Sequence, residues 1–258
     1  MKHAQLPFFR SHRLLFAVLV GCAAVLLGAC AGTAGLGDTH AVGTTDAAAA
    51  APDGIARPLP GWHALAIPGK TSTLYRWEKK DGRGAWAASS TQSASLWRRK
   101  VDPVRQVSGE LHFSWWVKDL VENGNVADIA REDAPARVVL GFDGDLKSLS
   151  GRTRLMFDLA EALTGEAPPY ATLMYVWDAT APVGSVIVNP RSDRVRKIVV
   201  DSGPQHLRQW RDHKRDLAAD FRLAFGEEPG ALKSVALMSD SDNTRSSAMS
   251  WFGEVELH

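Results

Sequence analysis

The sequence predicts an all-β fold, an antiparallel β-sandwich with two helical excursions, and three observations predict it. Short runs that alternate apolar and polar residues recur along the chain, separated by Gly, Pro, Asp and Ser clusters. The last stretch reads as a hairpin that closes a sheet: Ser234-Val235-Ala236-Leu237-Met238, an acidic loop Ser239-Asp240-Ser241-Asp242-Asn243-Thr244, then a strand from Ala248 to Leu257. Only two segments, near 154–163 and 217–225, carry the 3.6-residue period of a helix.

The elements follow in order. Residues 73–79 alternate Leu74 and Arg76 against Tyr75 and Trp77. Asp81-Gly82-Arg83-Gly84 turns the chain into 85–90, and 95–101 follows. The strongest strand is 110–118, with Leu111, Phe113, Trp115 and Val117 on one face. His112, Ser114, Trp116 and Lys118 take the other face, where Trp116 is the residue off pattern. Residues 137–142 are nearly all apolar, as a central strand requires. In the first helix, Leu155, Met156, Leu159, Ala160 and Leu163 share a side, with Asp158 and Glu161 opposite. Ser150 can cap it, and Gly165 with Pro168 and Pro169 ends it. Strands at 173–177, 186–188 and 197–200 come next. The second helix places Leu217, Phe221, Ala224 and Phe225 together and stops at Gly226. In the final strand Trp251, Gly253, Val255 and Leu257 face one way, and Ser250, Phe252, Glu254 and Glu256 the other. The polar connections 120–135 and 164–170 are where a sandwich usually carries its binding surface.

The start of the chain speaks to location. Lys2, Arg10 and Arg13 precede an apolar run from Leu14 to Leu27, too short for a membrane span and suited to a signal-peptide core. The run ends in Leu27-Gly28-Ala29-Cys30, which resembles the bacterial lipobox. On that resemblance residues 1–29 are a lipoprotein signal peptide, and Cys30 carries lipid. The alternative is an ordinary secretory signal with an accidental cysteine. Ala31 rather than aspartate after Cys30 favours the outer membrane, with the domain facing the periplasm or the surface. Residues 30–60 are rich in Ala, Gly and Thr and read as a tether. Residues 61–258 then form one domain of ordinary sandwich size. Loss of Cys22, and lipidation of Cys30, leave it no disulfide and no thiolate zinc site. Removal of Lys2, Arg10 and Arg13 takes the Lys and Arg count from 30 to 27 against 29 acids, a net charge of about −2. That balance makes no electrostatic case for nucleic acid.

Candidate chemistry is sparse. Asp240, Asp242, Asn243 and Thr244 are a dense set of oxygen ligands that could hold a calcium ion. They lack the glycine and distal glutamate of an EF-hand, and the competing reading is a loop whose side chains bond the local backbone. Nine tryptophans lie beyond the signal segment. Most Trp belong to cores, while an exposed indole face stacks on sugar rings. Trp116, which points away from the Leu111 face, and Trp210, which sits in a charged run, are the candidates for exposed ligand-binding faces. No Gly-x-Ser-x-Gly elbow, His-Glu-x-x-His helix or phosphate loop is present. His213 lies beside Asp212, with Asp216 three residues further on, and reads as a surface pair. Asp143, Asp145 and Asp178 are the acids to check for glycoside hydrolysis.

Several local patterns carry a resemblance. They are Trp115-Trp116-Val117, Tyr175-Val176-Trp177-Asp178, Val199-Val200-Asp201-Ser202-Gly203, the 210–220 stretch, and Met238 to Thr244 followed by Trp251-Phe252-Gly253-Glu254-Val255. Together they resemble a bacterial secreted family known as domain of unknown function 3047, over roughly Trp62 to Leu257. That family implies no activity. A weaker similarity, carried by Phe252-Gly253-Glu254-Val255, extends to galactose-binding-like jelly rolls. Many of those are carbohydrate-binding modules with a structural calcium. The two helices, and the lack of an attached catalytic domain, depart from that pattern.

The leading reading is a non-catalytic envelope lipoprotein domain that binds a glycan or another envelope component. The alternatives are an accessory envelope protein that binds a protein partner, through 120–135 or an apolar patch near the helices, and a hydrolase with an unrecognised site.

Overall fold

The computed structural model describes residues 58–258 except Ser108. The signal peptide, Cys30 and most of the tether expected at 30–60 lie outside the described residues.

Thirteen strands and two helices run in the order β1 (Trp62–Ala66), β2 (Leu74–Lys80), β3 (Arg83–Thr91), β4 (Ser95–Arg105), β5 (Glu110–Val117), β6 (Arg137–Phe142), α1 (Gly151–Thr164), β7 (Ala171–Asp178), β8 (Val186–Asn189), β9 (Ser192–Ser202), β10 (Trp210–Asp216), α2 (Leu217–Phe225), β11 (Leu232–Met238), β12 (Ser247–Phe252) and β13 (Glu256–Leu257). They build a two-sheet sandwich. One sheet is ordered β1-β4-β11-β6-β7-β9-β8, and the other β10-β5-β12-β3-β2, with β13 also on β5. All pairs are antiparallel except β7 with β9, whose connection runs out through β8 and back.

The core lies between the sheets. Leu111, Phe113, Trp115 and Val117 of β5 meet Leu140, Leu173, Tyr175, Trp177 and Ile198 of the facing sheet, all buried. This is the alternation expected of 110–118. β6 is buried along its whole length, which fits its nearly continuous apolar run. α2 closes one end with Leu217 and Phe221, and Asp216 caps its N-terminus. Both helices end on left-handed glycines, Gly165 and Gly226 (φ 76° and 72°). Among the described residues the two sheets enclose one main core.

Three expectations change. The closing segments do not form a hairpin: β11 sits in the seven-stranded sheet and β12 in the six-stranded one, so the acidic loop crosses between layers. A crossing loop must satisfy its buried polar groups internally. Asp240 accepts Arg137 Nε and Nη2, both at 2.9 Å, and the Ala134 amide at 3.1 Å. Ser241 Oγ lies 2.6 Å from Ser90 Oγ. Next, β10 is a strand although its sequence, Trp-Arg-Asp-His-Lys-Arg-Asp, has no apolar alternation. Its inward residues Arg211, His213 and Arg215 meet buried carboxylates, and the His213 ring also stacks on Phe113 of the core. Third, α1 turns its apolar side outward. Its inner side is Thr153, Phe157 and Ala160, while Leu155, Met156, Leu159 and Leu163 are exposed.

Arg137 and Asp240 are both buried, so removing one leaves the other charge unpaired. Arg137→Met is expected to cost about 3–5 kcal/mol in urea unfolding of the 58–258 domain, and Arg137→Met combined with Asp240→Leu to recover most of it. An equal loss in the double variant would place the stabilisation in packing rather than charge.

Candidate functional site

The outer face of the six-stranded sheet carries an aromatic row. Cross-strand register sets Trp210 of β10 opposite Trp116 of β5, Trp116 opposite Trp251 of β12, and Trp251 opposite Ala87 of β3. Directly paired residues project to one face, so the three indoles stand side by side across three strands. The two tryptophans expected to share a binding role are thus neighbours. Trp251 joins them, and the single alternation expected of the last strand breaks, since Phe252 and Val255 both turn into the core. Trp116 and Trp251 meet edge to face at 5.0 Å between centroids, over a floor of Ala85 and Ala87. These small residues leave room for the rings; alternating larger side chains there would fill it.

The row is covered. Trp116 is 7% exposed and Trp251 9%, while Trp210 is half-buried. The cover is the β2–β3 turn. Lys80 Nζ sits 3.6 Å from the centroid of Trp116 and 4.8 Å from that of Trp251, and Arg83 lies 5.0 Å over Trp210. A cation over an indole face is attracted by the ring quadrupole. Trp251 Nε1 donates to Glu78 Oε1 at 2.7 Å, and Trp210 Nε1 to the Lys80 carbonyl at 3.3 Å. Arg83 also pairs with Asp212 at 2.6 Å. The expectation of a bare Trp116 face is corrected: the ring lies outward but under Lys80. Its buried Nε1 has no hydrogen-bond partner among the described residues. A donor left in that state costs free energy that a ligand acceptor can recover.

Beyond the row, Met249 packs against the aromatic cluster and leads into an open groove of about 680 Å³. Its walls carry Ser89, Thr91, Lys118, Glu122, Arg245 and Ser247. Arg245 and Ser246, the residues that follow the acidic loop, stand at the groove edge.

That loop is braced from below. Asp133, not singled out in the sequence, accepts the Asn243 amide at 3.2 Å, the Thr244 amide at 2.7 Å and Thr244 Oγ1 at 2.7 Å. Asn243 Nδ2 donates to the Ile129 carbonyl at 3.0 Å. Asp242 pairs with Lys70, and Asp240 with Arg137. Burial pushes the Asp240 carboxyl up from the ordinary range, against the pull of Arg137. One oxygen each of Asp133, Asp240 and Asp242 lies within 4.8 Å of the others. Of the four residues expected as ligands, Asp240 and Asp242 therefore converge, while the side chains of Asn243 and Thr244 are engaged as donors. A cation here would compete with Lys70 and Arg137 for the same oxygens. Behind the loop, buried Lys197 bonds Glu132 at 2.9 Å and the Val126 carbonyl at 2.7 Å, and burial lowers its pKa.

The histidine also finds a different partner. His213 Nε2 lies 2.9 Å from Asp201 Oδ2, not against Asp212 or Asp216. Asp201 is buried and further accepts Trp115 Nε1 at 2.8 Å and Arg211 Nε at 3.1 Å. Burial would raise this carboxyl, but His213, Trp115 and Arg211 together hold it below the ordinary carboxylate range. Next along β10, Arg215 forks onto Asp220 at 2.6 and 2.7 Å, and Asp220 accepts Tyr175 Oη at 2.7 Å. The ladder bonds the edge strand of one sheet to β7, β9 and α2. Asp178, a candidate acid, accepts the Val126, Thr180 and Ala181 amides and shapes a turn. Asp145 caps the short turn Leu146–Ser148, and Asp143 lies 3.7 Å from Lys233.

A family profile described as "Protein of unknown function (DUF3047)" matches residues 60–256. No curated protein matches the chain. Among solved structures, it is similar to the family 11 carbohydrate-binding module from Clostridium thermocellum in complex with a β-1,3-1,4-mixed-linked tetrasaccharide, at 8% identity over 77% of this chain and 89% of that one, with a TM-score of 0.40. The family 11 carbohydrate-binding module of the cellulosomal cellulase Lic26A-Cel5E of Clostridium thermocellum stands at 7% identity, 77% and 88% coverage and 0.37. Endoglucanase 3 of Trichoderma harzianum, from family GH12, stands at 7%, 77% and 95%, and 0.39. A likeness this loose carries no argument about what this chain binds.

Because Asp201 is held below the ordinary range when folded, its contribution is full above the unfolded carboxylate value of about 4 and is lost as pH falls through the folded value. Asp201→Asn is expected to lower the melting temperature at neutral pH and to flatten its fall on acidification. Parallel acid-limb slopes for the two proteins would remove Asp201 from that dependence.

Proposed function

The chain belongs to the DUF3047 family, and we propose that it is a non-catalytic envelope domain that binds a glycan on the outer face of its six-stranded sheet. The observation that carries this reading is the row Trp210, Trp116 and Trp251 running into a polar groove. Sugar rings offer C–H faces that stack on indoles, and hydroxyls that bond charged and hydroxyl side chains. Lys118, Glu122, Arg245, Ser89 and Thr91 supply such partners along the groove. Trp210, the least covered of the row, is the first stacking face. Lys80 swings aside to open Trp116, whose free Nε1 then finds an acceptor.

On this reading the domain hangs from the outer membrane by lipid on Cys30, after removal of residues 1–29, and 30–60 is its tether. The braced acidic loop keeps the groove rim in place. Calcium at the Asp133, Asp240 and Asp242 oxygens is the second part of the proposal, with Lys70 released from Asp242.

The test is a titration of the 58–258 domain with bacterial envelope and plant glycans, read by Trp fluorescence. A saturable shift is expected, weakened at least about tenfold, or about 1.4 kcal/mol, by Trp210→Ala. Lys80→Ala, which uncovers Trp116, is expected to tighten it. Silence across the whole panel sinks the glycan reading. In a separate arm, the calcium-equilibrated domain is melted with and without chelator. A lower melting temperature with chelator supports the ion, and an unchanged one leaves the loop to Arg137 and Lys70.

A further inference from the structure

α1 is an amphipathic helix mounted the wrong way round for a soluble domain. Its apolar stripe, Leu155, Met156, Leu159 and Leu163, is 67%, 54%, 51% and 67% exposed. The side against the protein is Thr153, Phe157 and Ala160, the last two lining a shallow depression with Pro168 and Val195. None of the helix residues is buried. Four large apolar side chains in one line on about 21 Å of helix are not the scattered apolar residues of an ordinary surface. Ser150 and Gly165 cap the helix at both ends, so it is a formed element and not a frayed turn.

We propose that this stripe lies on the surface of an anionic lipid bilayer. Three observations select that occupant. The first is charge. Lys147, Arg152 and Arg154 cluster at the N-terminal end of the helix, Arg152 alone of them inside the stripe, and none has a carboxylate partner among the described residues. At 100° per residue Arg152 falls between Leu159 and Leu163, within the stripe, and Leu146 beside Lys147 is also exposed. Asp158 and Glu161 lie on the opposite side of the helix, near Arg154. Basic residues beside an exposed apolar face are what an interfacial helix presents to headgroups. The second is area. Four side chains fall short of the roughly 800 Å² per partner of a stable protein interface, so a second copy of the chain would gain too little. A bilayer needs no matching patch. The third is the chain upstream. The end of β1, at Leu65 to Pro68, lines one depression with Ala160 and Thr164 of α1. If Cys30 is lipidated, the 28 residues from there to Pro58 reach about 30 Å on average as a coil. The domain is then held at high effective concentration over a bilayer, where a weak stripe suffices. This third strand alone rests on the lipid-anchor part of the proposed function. Among the described residues no helix is long and apolar enough to cross a membrane, so α1 would lie in the interface.

The test uses the 58–258 domain, which contains all thirteen described strands and lacks Cys30. It is mixed with vesicles of phosphatidylcholine alone, or with phosphatidylglycerol added, and binding is read by flotation. Binding to the anionic vesicles, weakened by salt, is expected. Leu159→Gln with Leu163→Gln keeps good helix formers at exposed positions, and should leave the melting temperature unchanged while cutting vesicle binding at least about tenfold. No flotation with anionic vesicles overturns the inference, and so does equal flotation of the double variant. A wild-type dimer in sedimentation that the double variant abolishes, without vesicle binding, would give the stripe to a second copy. No glycan is present and Trp210 is untouched, so a failure here leaves the glycan reading standing, and the reverse holds.

Discussion

One buried ion pair fixes how two long connections run at one end of the sandwich. Arg137 begins the central strand of one sheet, and Asp240 opens the loop that leaves that sheet for the other. Their two contacts at 2.9 Å bring together two charges that burial would otherwise penalise heavily. Asp240 also takes the Ala134 amide, and Arg137 reaches the Glu132 carbonyl. The pair therefore sets the path of the 118–135 connection as well as that of the acidic loop. Around it stand Lys197 on Glu132, Asp178 on the Val126 amide and Asp133 on Asn243 and Thr244. This end of the sandwich is held by charge and hydrogen bonds because loops, unlike strands, have no ladder to satisfy their backbone. Arg245 and Ser246 at the groove edge hydrogen-bond back onto the same loop.

The two faces that have no strand or helix laid over them behave differently. On the six-stranded sheet, large indoles rise from small residues and are closed over by Lys80 and Arg83 from the β2–β3 turn. Cation–π contacts of this kind are worth little individually, about 0.5–1 kcal/mol near the surface, so the cover is held weakly enough to yield to a ligand. On α1 the apolar side chains have no cover among the described residues. One face conceals its aromatic groups and the other displays aliphatic ones, which suits a ligand with hydroxyls in the first case and a surface of hydrocarbon and phosphate in the second.

Much of the fold was legible because burial writes a period into a strand. The face Leu111, Phe113, Trp115, Val117 was readable, as were the continuous run of β6, the caps Ser150 and Gly165, and both helices. β10 was not. Its inward residues are Arg211, His213 and Arg215, and the carboxylates that make them tolerable, Asp201 and Asp220, lie elsewhere in the sequence. β1 was missed because its five residues are mostly exposed. Of the site, Trp116 and Trp210 could be picked out as off-pattern residues. Asp133 gave no signal, since an acid in a polar loop looks like any other.

By itself the sequence determined the class of fold, the inward face of β5, the two helices with their ends, and the family. The class, that face and the helices follow from local periodicity and capping, which need no knowledge of partners; the family follows from the resemblance of its motifs. The tertiary structure alone decided which sheet receives each strand, that the last two strands part company across the acidic loop, and that Asp201 rather than Asp212 meets His213. It also decided which way α1 faces. A helix's sequence defines its apolar side but not the direction of the core, and here Phe157 and Ala160 pack inward while the leucines look out.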